Sequence, residues 1–261
     1  MGLKDTLREG RPVIGATVTT NSVDSAAHLA TLGFDFLWIE MEHSPVTLET
    51  LRHIVLATRG LPALPFARVP VNEFWTAKRV LDAGVHGVMF PFTSTPELAA
   101  QAVAACKYPP LGRRGSGAGL ARFTWPACDD YYTSADEDVT VICLIEEARA
   151  VENIDAIAAT PGLDVMFIGV SDLSFSLGYR GRQKEPVLHE AIRKVVEAGR
   201  KHGKAVGRPA GSPDEVQQYV EQGFQLFQTP TDLGFMTAGA KRYLDPLGKS
   251  SGQKAEKRAL Y

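Results

Sequence analysis

Short apolar runs alternate with longer helical patterns along the whole chain. Eight such runs, rich in β-branched and aromatic residues, are each followed by a segment with apolar residues at helical spacing. Continuous apolar runs of this kind are typical of parallel strands that are covered on both faces. The runs are PVIGATV, FDFLWIEM, ALPFARV, GVMFPF, VTVICLIE, VMFIGV, KAVGRPA and FQLFQTPT. The pattern therefore predicts eight consecutive βα units.

Eight βα units predict a closed (β/α)8 TIM barrel. Parallel strands need right-handed helical crossovers, and eight strands enclose a packed interior. The 261 residues fit one such barrel, which takes about 250. We assign residues 1–247 to the barrel and residues 248–261 to a polar C-terminal tail. A doubly wound open sheet is the alternative, but it normally has a glycine-rich turn after the first strand, and GATVTTNS is not such a turn.

One long segment, residues 111–138, interrupts this alternation between the fourth and fifth units. Loops of this length are uncommon in compact domains and are often functional. We therefore expect it to form a loop or lid over the catalytic face of the barrel.

Composition and charge narrow the class of protein. Apolar residues at 44% and charged residues at 22% are ordinary for one globular enzyme. A net charge of -2 gives no electrostatic case for binding nucleic acid or an anionic membrane, so we expect neither partner. The sequence shows no apolar leader and no long apolar run, so we expect a cytoplasmic protein. The three cysteines lie outside metal-ligand spacings, which favours reduced thiols.

Charged residues cluster where the predicted strands end. The chemistry of these barrels is built at the C-terminal ends of the strands. Glu146 and Asp172 follow the fifth and sixth apolar runs, so their carboxylates are expected to meet at one rim. Arg68 lies between apolar neighbours and needs an anionic partner. The other polar residues at this rim are Glu40, Glu42, His43, Glu147, Ser171 and Arg208.

Taken singly, several of these residues have a structural alternative. Asp172 precedes LSFSLG and can simply cap the following helix. His43 can be an ordinary loop histidine. Their joint occurrence at one rim favours a functional site.

The inventory of side chains also limits the chemistry. No predicted strand ends in a lysine, which disfavours a Schiff-base aldolase, and no G-x-S-x-G motif is present. Carboxylates without a histidine-rich cluster suit a hard divalent cation, Mg²⁺ or Mn²⁺, with Co²⁺ or Zn²⁺ as alternatives. A 2-oxo acid can chelate such a cation through its carboxylate and ketone. Arg68 would then hold the oxygen that becomes an enolate.

Several linked motifs resemble the HpcH/HpaI family of metal-dependent pyruvate aldolases, the 2,4-dihydroxyhept-2-enedioate aldolase type. The motifs are FDFLWIEMEHSPVTLETL, ARVP with NEFWTAKRVLDAGVHGVMFP, PPLGRRG, LIEE and FIGVSDLSFSLG, and the match runs from about Leu7 to Leu247. The resemblance implies a metal on Glu146 and Asp172, enolate stabilisation by Arg68, and acid–base work by His43 through a water.

The same resemblance implies an oligomer. It matches Asp82 to an aspartate that reaches across a subunit interface to orient His43, and it implies a hexamer or trimer with an exchanged last helix. It also implies that backbone amides around Ser171 and Asp172 hold the substrate carboxylate. Glu40, Glu42 and Glu147 are expected to surround the site.

Five positions depart from the family pattern. Glu40 stands where aspartate is usual, and Leu144 stands where glutamine is common. Val170 and Ser171 replace Pro and Ala of a usual G-P-A-D motif, and Arg208 replaces a small or apolar residue. Arg208 suggests that the aldehyde acceptor of the aldol reaction, or the tail of the substrate, is acidic or forms strong hydrogen bonds.

These expectations combine into one function. The chain is expected to be a lyase that cleaves a 4-hydroxy-2-oxo acid reversibly into pyruvate, or a close 2-oxo acid, and an aldehyde through a metal-bound enolate. Two alternatives on the same metal site are a 2-oxo-acid decarboxylase and a citrate-lyase-type acyl-CoA lyase. A third is a non-catalytic barrel that binds a 2-oxo acid.

Overall fold

Eight parallel strands close into one barrel, in the order β1 to β8. The structure is a computed structural model that describes residues 2–249. Every predicted strand is present, which confirms the (β/α)8 fold. The strands are β1 (Val13–Val18), β2 (Phe36–Glu40), β3 (Leu64–Arg68), β4 (Gly87–Phe90), β5 (Thr140–Ile145), β6 (Val165–Ile168), β7 (Ala205–Pro209) and β8 (Leu226–Thr231).

Helices surround the barrel and connect the strands. Several begin at a side-chain cap, as where the Thr47 and Thr95 hydroxyls accept backbone N–H groups. Gly84 ends one helix in the left-handed region, at φ 106°. The helices are α1 (Leu3–Arg8), α2 (Val23–Leu29), α3 (Leu48–Ala57), α4 (Phe74–Ala83), α5 (Pro96–Cys106), α6 (Gly119–Thr124), α7 (Tyr131–Asp138), α8 (Ala148–Glu152), α9 (Ile154–Ala158), α10 (Val170–Ser176), α11 (Pro186–His202), α12 (Pro213–Glu221) and α13 (Asp232–Leu244), followed by a 3-10 turn (Asp245–Leu247).

Alternate strand residues fill the barrel interior in layers. Side chains in a strand alternate between the two faces, so every second residue points inward. The buried interior cluster contains Phe36, Trp38, Phe66, Met89, Ile142, Leu144, Val165 and Phe167. The next inward positions on four of these strands are Glu40, Arg68, Glu146 and Gly169. The charged rim therefore lies directly above an apolar interior, separated from it by one pleat of each strand.

The segment 111–138 lies at the opposite end of the barrel, so the prediction of a catalytic lid is wrong. It runs from α5 into β5, and such a connection reaches a strand at its N-terminal end. Trp125 of this segment stacks on His86, just before β4, with ring centroids 4.2 Å apart. Its indole N–H donates to the carbonyl of Gly84 at 3.2 Å. The segment thus packs on the outside of the barrel near its lower end, whereas Leu7 of α1 packs against the interior cluster.

The C-terminal prediction falls mainly outside the described residues. Of the proposed tail, residues 248–261, the structure describes only Gly248 and Lys249. Within residues 2–249, no helix is both long enough and apolar enough to cross a membrane.

Candidate active site

Arg68 lies at the centre of a group of carboxylates on the rim. Its Nη1 is 3.4 Å from Glu40 Oε2, and its Nη2 directly contacts Glu42. The same Nη2 is 3.7 Å from Glu146 Oε2. Arg68 and Glu146 are buried. One guanidinium therefore faces three carboxylates, and the anionic partners that Arg68 was expected to need are present.

The group carries more buried negative charge than Arg68 can neutralise. Burial raises the pKa of Glu42 to about 7, and repulsion from Glu146, Glu40 and Asp172 adds to that rise. Burial likewise raises the pKa of Glu146 to about 7, and Arg68 opposes only part of it. A divalent cation among these oxygens would remove the excess charge.

Glu146 is held with one carboxylate oxygen unused. The backbone N–H of Phe92 donates to its Oε1 at 2.6 Å. Oε2 is buried and accepts no hydrogen bond within residues 2–249. A Cβ added at Gly169 would lie only 2.6 Å from this Oε2, so the glycine leaves the space that the carboxylate needs. The backbone of Phe92 has φ 47°, a left-handed conformation that is uncommon for a phenylalanine.

Asp172 and Ser171 lie in the first turn of α10, directly after β6. The N–H of Leu173 donates to the carbonyl of Gly169, so the N–H groups of Ser171 and Asp172 have no acceptor within the helix. Both residues line a cavity of about 210 Å³ together with Arg68 and Glu146. This cavity brings the two carboxylates and two amide donors to one space.

The residues present fit a divalent cation that keeps most of its positions for water and substrate. Glu146 and Asp172 carry carboxylate oxygens, the ligands that hard cations prefer, and they are the residues that would hold such a cation. Within the described ranges, no group of three or more His, Cys, Asp or Glu residues is arranged to hold a metal. A two-carboxylate site leaves open positions, as a catalytic centre requires.

His43 follows β2 in a loop that Glu40 organises. Glu40 Oε1 accepts the backbone N–H of Glu42 at 2.8 Å and that of His43 at 3.1 Å. The His43 Nε2 is 3.7 Å from Glu42 Oε2. The imidazole therefore lies beside the carboxylate group, at the exposed edge of the rim.

Two predicted residues lie away from this centre. Glu147 accepts a hydrogen bond from the Ser94 hydroxyl, on the loop after β4. Asp82 is in the last turn of α4, near the end of that helix remote from the rim, and it is 3.4 Å from Arg114 Nη2. Burial raises the pKa of Asp82, and Arg114 opposes the shift. Within its own barrel, Asp82 is not placed among the rim carboxylates.

Arg208 borders the cavity from the outer side of β7. Its strand neighbour Val206 packs in the outer core, so Arg208 shares that face. Its guanidinium carbon lies 3.6 Å from the ring centroid of Tyr219 and 5.2 Å from that of Phe224. Its Nε is buried and has no hydrogen-bond partner in residues 2–249. The cation is thus fixed on aromatic faces, with a donor still unused.

Sequence reasoning missed three contributors to the site. Trp38 donates its indole N–H to Glu40 Oε2 at 3.2 Å, and the inward spacing of two residues between them was the available signal. Gly169 was visible only as a family motif position. The N–H of Phe92 had no sequence signal, because its direction depends on a loop conformation.

Comparison with known proteins gives consistent results. A family model described as HpcH/HpaI aldolase/citrate lyase matches residues 14–238. The chain is 35% identical over 221 residues to the 5-keto-4-deoxy-D-glucarate aldolase of Salmonella arizonae, covering 85% of this chain and 86% of that one. An HpcH/HpaI aldolase/citrate lyase family protein from Burkholderia cenocepacia J2315 has 35% identity and a TM-score of 0.87, covering 94% and 98% of the chains. The HpcH/HpaI aldolase from Desulfitobacterium hafniense DCB-2 has 27% identity and a TM-score of 0.87, covering 97% and 98%.

The chain therefore belongs to the HpcH/HpaI aldolase/citrate lyase family. This membership confirms the predicted family and the predicted class, a carbon–carbon lyase with retro-aldol chemistry on a small molecule. Class II aldolases of the family depend in general on a divalent cation, which agrees with the oxygen ligands at the rim.

Proposed function

We propose that this chain cleaves a 4-hydroxy-2-oxo acid into pyruvate, or a close 2-oxo acid, and an aldehyde. The observation that carries the proposal is the arrangement around Arg68. Three carboxylates surround one guanidinium, while Glu146 Oε2 and Arg68 Nε are buried and have no hydrogen-bond partner among the described residues. A buried polar atom without a partner costs free energy unless a ligand supplies that partner. A bound cation would supply it for Glu146, and a bound 2-oxo acid would supply it for Arg68.

Glu146 and Asp172 are the residues that would hold the cation, and Mg²⁺ or Mn²⁺ suits their oxygens best. The bound cation would polarise the 2-oxo group and draw charge from the carbon chain. The amides of Ser171 and Asp172 would receive the substrate carboxylate. Arg68 would donate to the keto oxygen as it becomes negatively charged.

His43 is the proposed acid–base group. Cleavage requires the C4 hydroxyl to lose its proton as the bond between C3 and C4 breaks, which releases the aldehyde. The electron pair left on C3 is then protonated to give the methyl group of pyruvate. Imidazole suits both transfers because its ordinary pKa of about 6.5 lets it accept and donate near neutrality.

Arg208 is the proposed anchor for the aldehyde half of the substrate. It borders the same cavity as Arg68, and Gln183 and Gln228 lie on that border too. The Salmonella relative is named for 5-keto-4-deoxy-D-glucarate, which has a carboxylate at each end. A second carboxylate on this chain's substrate would pair with the fixed guanidinium of Arg208.

A homo-oligomer, hexamer or trimer, completes the proposal. Asp82 lies remote from the rim of its own barrel, so it would reach a His43 only in a neighbouring subunit. Among residues 2–249, helix α13 buries none of its apolar residues, and Leu233 and Met236 are exposed on it. Exchange of this helix between subunits would cover them. We place the assembly in the cytoplasm, where the three free cysteines would stay reduced.

The direct test is pyruvate release from racemic 4-hydroxy-2-oxo acids, measured with a coupled lactate dehydrogenase. Activity should fall at least about 100-fold after chelation and return with Mg²⁺ or Mn²⁺. Glu146→Gln should keep the fold but need far more cation, whereas the matched surface change Glu190→Gln should behave as wild type. Cation-independent cleavage would refute the proposal. Decarboxylation of oxaloacetate without any aldol cleavage would favour the decarboxylase alternative.

A further inference from the structure

We propose that Trp38 is a positioning residue for the reaction, acting through Glu40 on both Arg68 and the His43 loop. The inference rests on the proposed function, since it concerns how the same site is held. Trp38 is fully buried in the barrel interior, where its ring centroid lies 4.7 Å from that of Phe167. Its indole N–H donates to Glu40 Oε2 at 3.2 Å.

Glu40 uses both of its oxygens to connect separate parts of the rim. Oε1 accepts two backbone N–H groups of the loop, those of Glu42 and His43. Oε2 receives the Trp38 indole from below and lies 3.4 Å from Arg68 Nη1. Glu40 is only 4% exposed, so bulk water does not replace a lost donor. The orientation of this carboxylate therefore depends on its protein partners.

Trp38 is the donor that reaches Glu40 from the layer below. Two neighbouring side chains of that layer, Leu144 and Phe167, carry no hydrogen-bond donor, and both line the active-site cavity with Trp38. Glu40 is one methylene longer than aspartate, which is usual at this position in the family that the sequence resembles. The longer side chain and the indole below it thus form one fitted pair.

Loss of the indole N–H would leave Arg68 as the single donor to Oε2. Oε2 would then be held by Arg68 alone, and the guanidinium would be drawn toward Glu40 and away from the substrate oxygen. A shift of the carboxylate would also weaken its hydrogen bonds from the two loop N–H groups that hold His43 in place. Because neither Glu146 nor Asp172 is touched, cation binding should be unaffected. The rate of the chemical step should therefore suffer more than binding.

The principal variant is Trp38→Phe, which keeps a ring and removes the N–H. We expect kcat for pyruvate release to fall about 10- to 100-fold, the range for a buried hydrogen bond to a charged group. KM for the 4-hydroxy-2-oxo acid and the Kd for Mn²⁺ should change less than about 3-fold. Deuterium exchange at the pyruvate methyl should slow in parallel, and this readout needs no knowledge of the aldehyde.

The chain offers a matched control at the other end of the barrel. Trp125 is also buried, and its indole N–H donates to Gly84 over the same 3.2 Å. Trp125→Phe should lower Tm and leave kcat unchanged. Equal losses of kcat in Trp38→Phe and Trp125→Phe would mean that the effect is general destabilisation, and would overturn the proposal.

A double-mutant cycle tests whether the effect passes through Glu40. In a Glu40→Gln background, Trp38→Phe should cost less than about 3-fold in kcat, whereas a full additive loss would overturn the proposal. Should Trp38→Phe fail to fold, Glu40→Asp breaks the same contact by shortening the acid, and unchanged kcat in that variant would count equally against it. An inactive wild type without deuterium exchange would instead refute the proposed function itself.

Discussion

The two ends of the barrel are built from the same strands but differ in their side chains: the lower end is packed with apolar rings, and the rim buries charged groups. At the lower end, Phe36 and Phe66 lie with ring centroids 5.0 Å apart, and Gly15 has no Cβ because one would lie 2.2 Å from the Phe36 ring. At the rim, three carboxylates converge on one arginine, and several buried polar atoms have no hydrogen-bond partner in the part of the chain that the structure describes. The lower end is packed for stability, whereas the rim gives up stability for a site that a ligand completes.

Protonation shows the same contrast. Burial raises the pKa of Glu42 and Glu146 to about 7 at the rim, so the metal-free folded protein loses stability as pH rises through that value. At the lower end, burial against Trp125 lowers the pKa of His86 to about 4. This histidine therefore costs stability as pH falls. A fall in pH therefore makes the rim contribute more to folding stability and the lower end contribute less.

The largest expected effect is that of Arg68→Lys at the rim. Lysine keeps the charge but loses the planar group that faces Glu40, Glu42 and the substrate oxygen together. We expect kcat to fall about 100- to 1,000-fold, comparable to loss of a donor to a developing anion. Steady-state pyruvate release measures it. Arg193→Lys, at an exposed ion pair on α11, should leave kcat unchanged, and a fully active Arg68→Lys would remove Arg68 from the chemistry.

The next effect concerns the lower end and its response to acid. Between pH 6.5 and 4 the unfolded chain protonates His86 while the folded chain does not, so His86 should remove up to about 3 kcal/mol of stability. Urea unfolding at pH 7, 5 and 4 measures it. His86→Phe should show a smaller acid loss than wild type and an unchanged kcat at pH 7. Identical pH profiles for the two proteins would show that His86 does not titrate in this way.

The smallest effect is expected for Arg208→Met, which keeps the length of the side chain and its contact with Tyr219. For a substrate with a second carboxylate, kcat/KM should fall about 10- to 100-fold, as for loss of a charge-assisted hydrogen bond. For a substrate with a neutral end, kcat/KM should change little. Competition between the two substrates measures the ratio of their kcat/KM values directly. Equal losses for both would place Arg208 in the scaffold rather than at a specificity site.

Much of the site was predictable because strand ends are readable along the chain. Glu40, Arg68 and Glu146 lie at or next to the ends of their apolar runs, and parallel strands bring these ends to one rim. The segment 111–138 was misplaced because its length suggested function, whereas its position after a helix and before a strand decides which end it covers. Arg208 borders the cavity, but its stacking on Tyr219 could not be predicted from the sequence, because it depends on where α12 lies beside β7.

The sequence by itself determined the barrel, its family and the set of charged residues at the rim, since these follow from periodicity and from residues close along the chain. The tertiary structure decided which of them meet. The contacts of Arg68 with Glu146, of Phe92 N–H with Glu146, and of Glu40 with the loop that carries His43 depend on strand register and loop backbone. The two contacts of Glu146 join residues far apart in sequence, which the closed barrel brings together, whereas those of Glu40 are local and depend on the backbone of the loop.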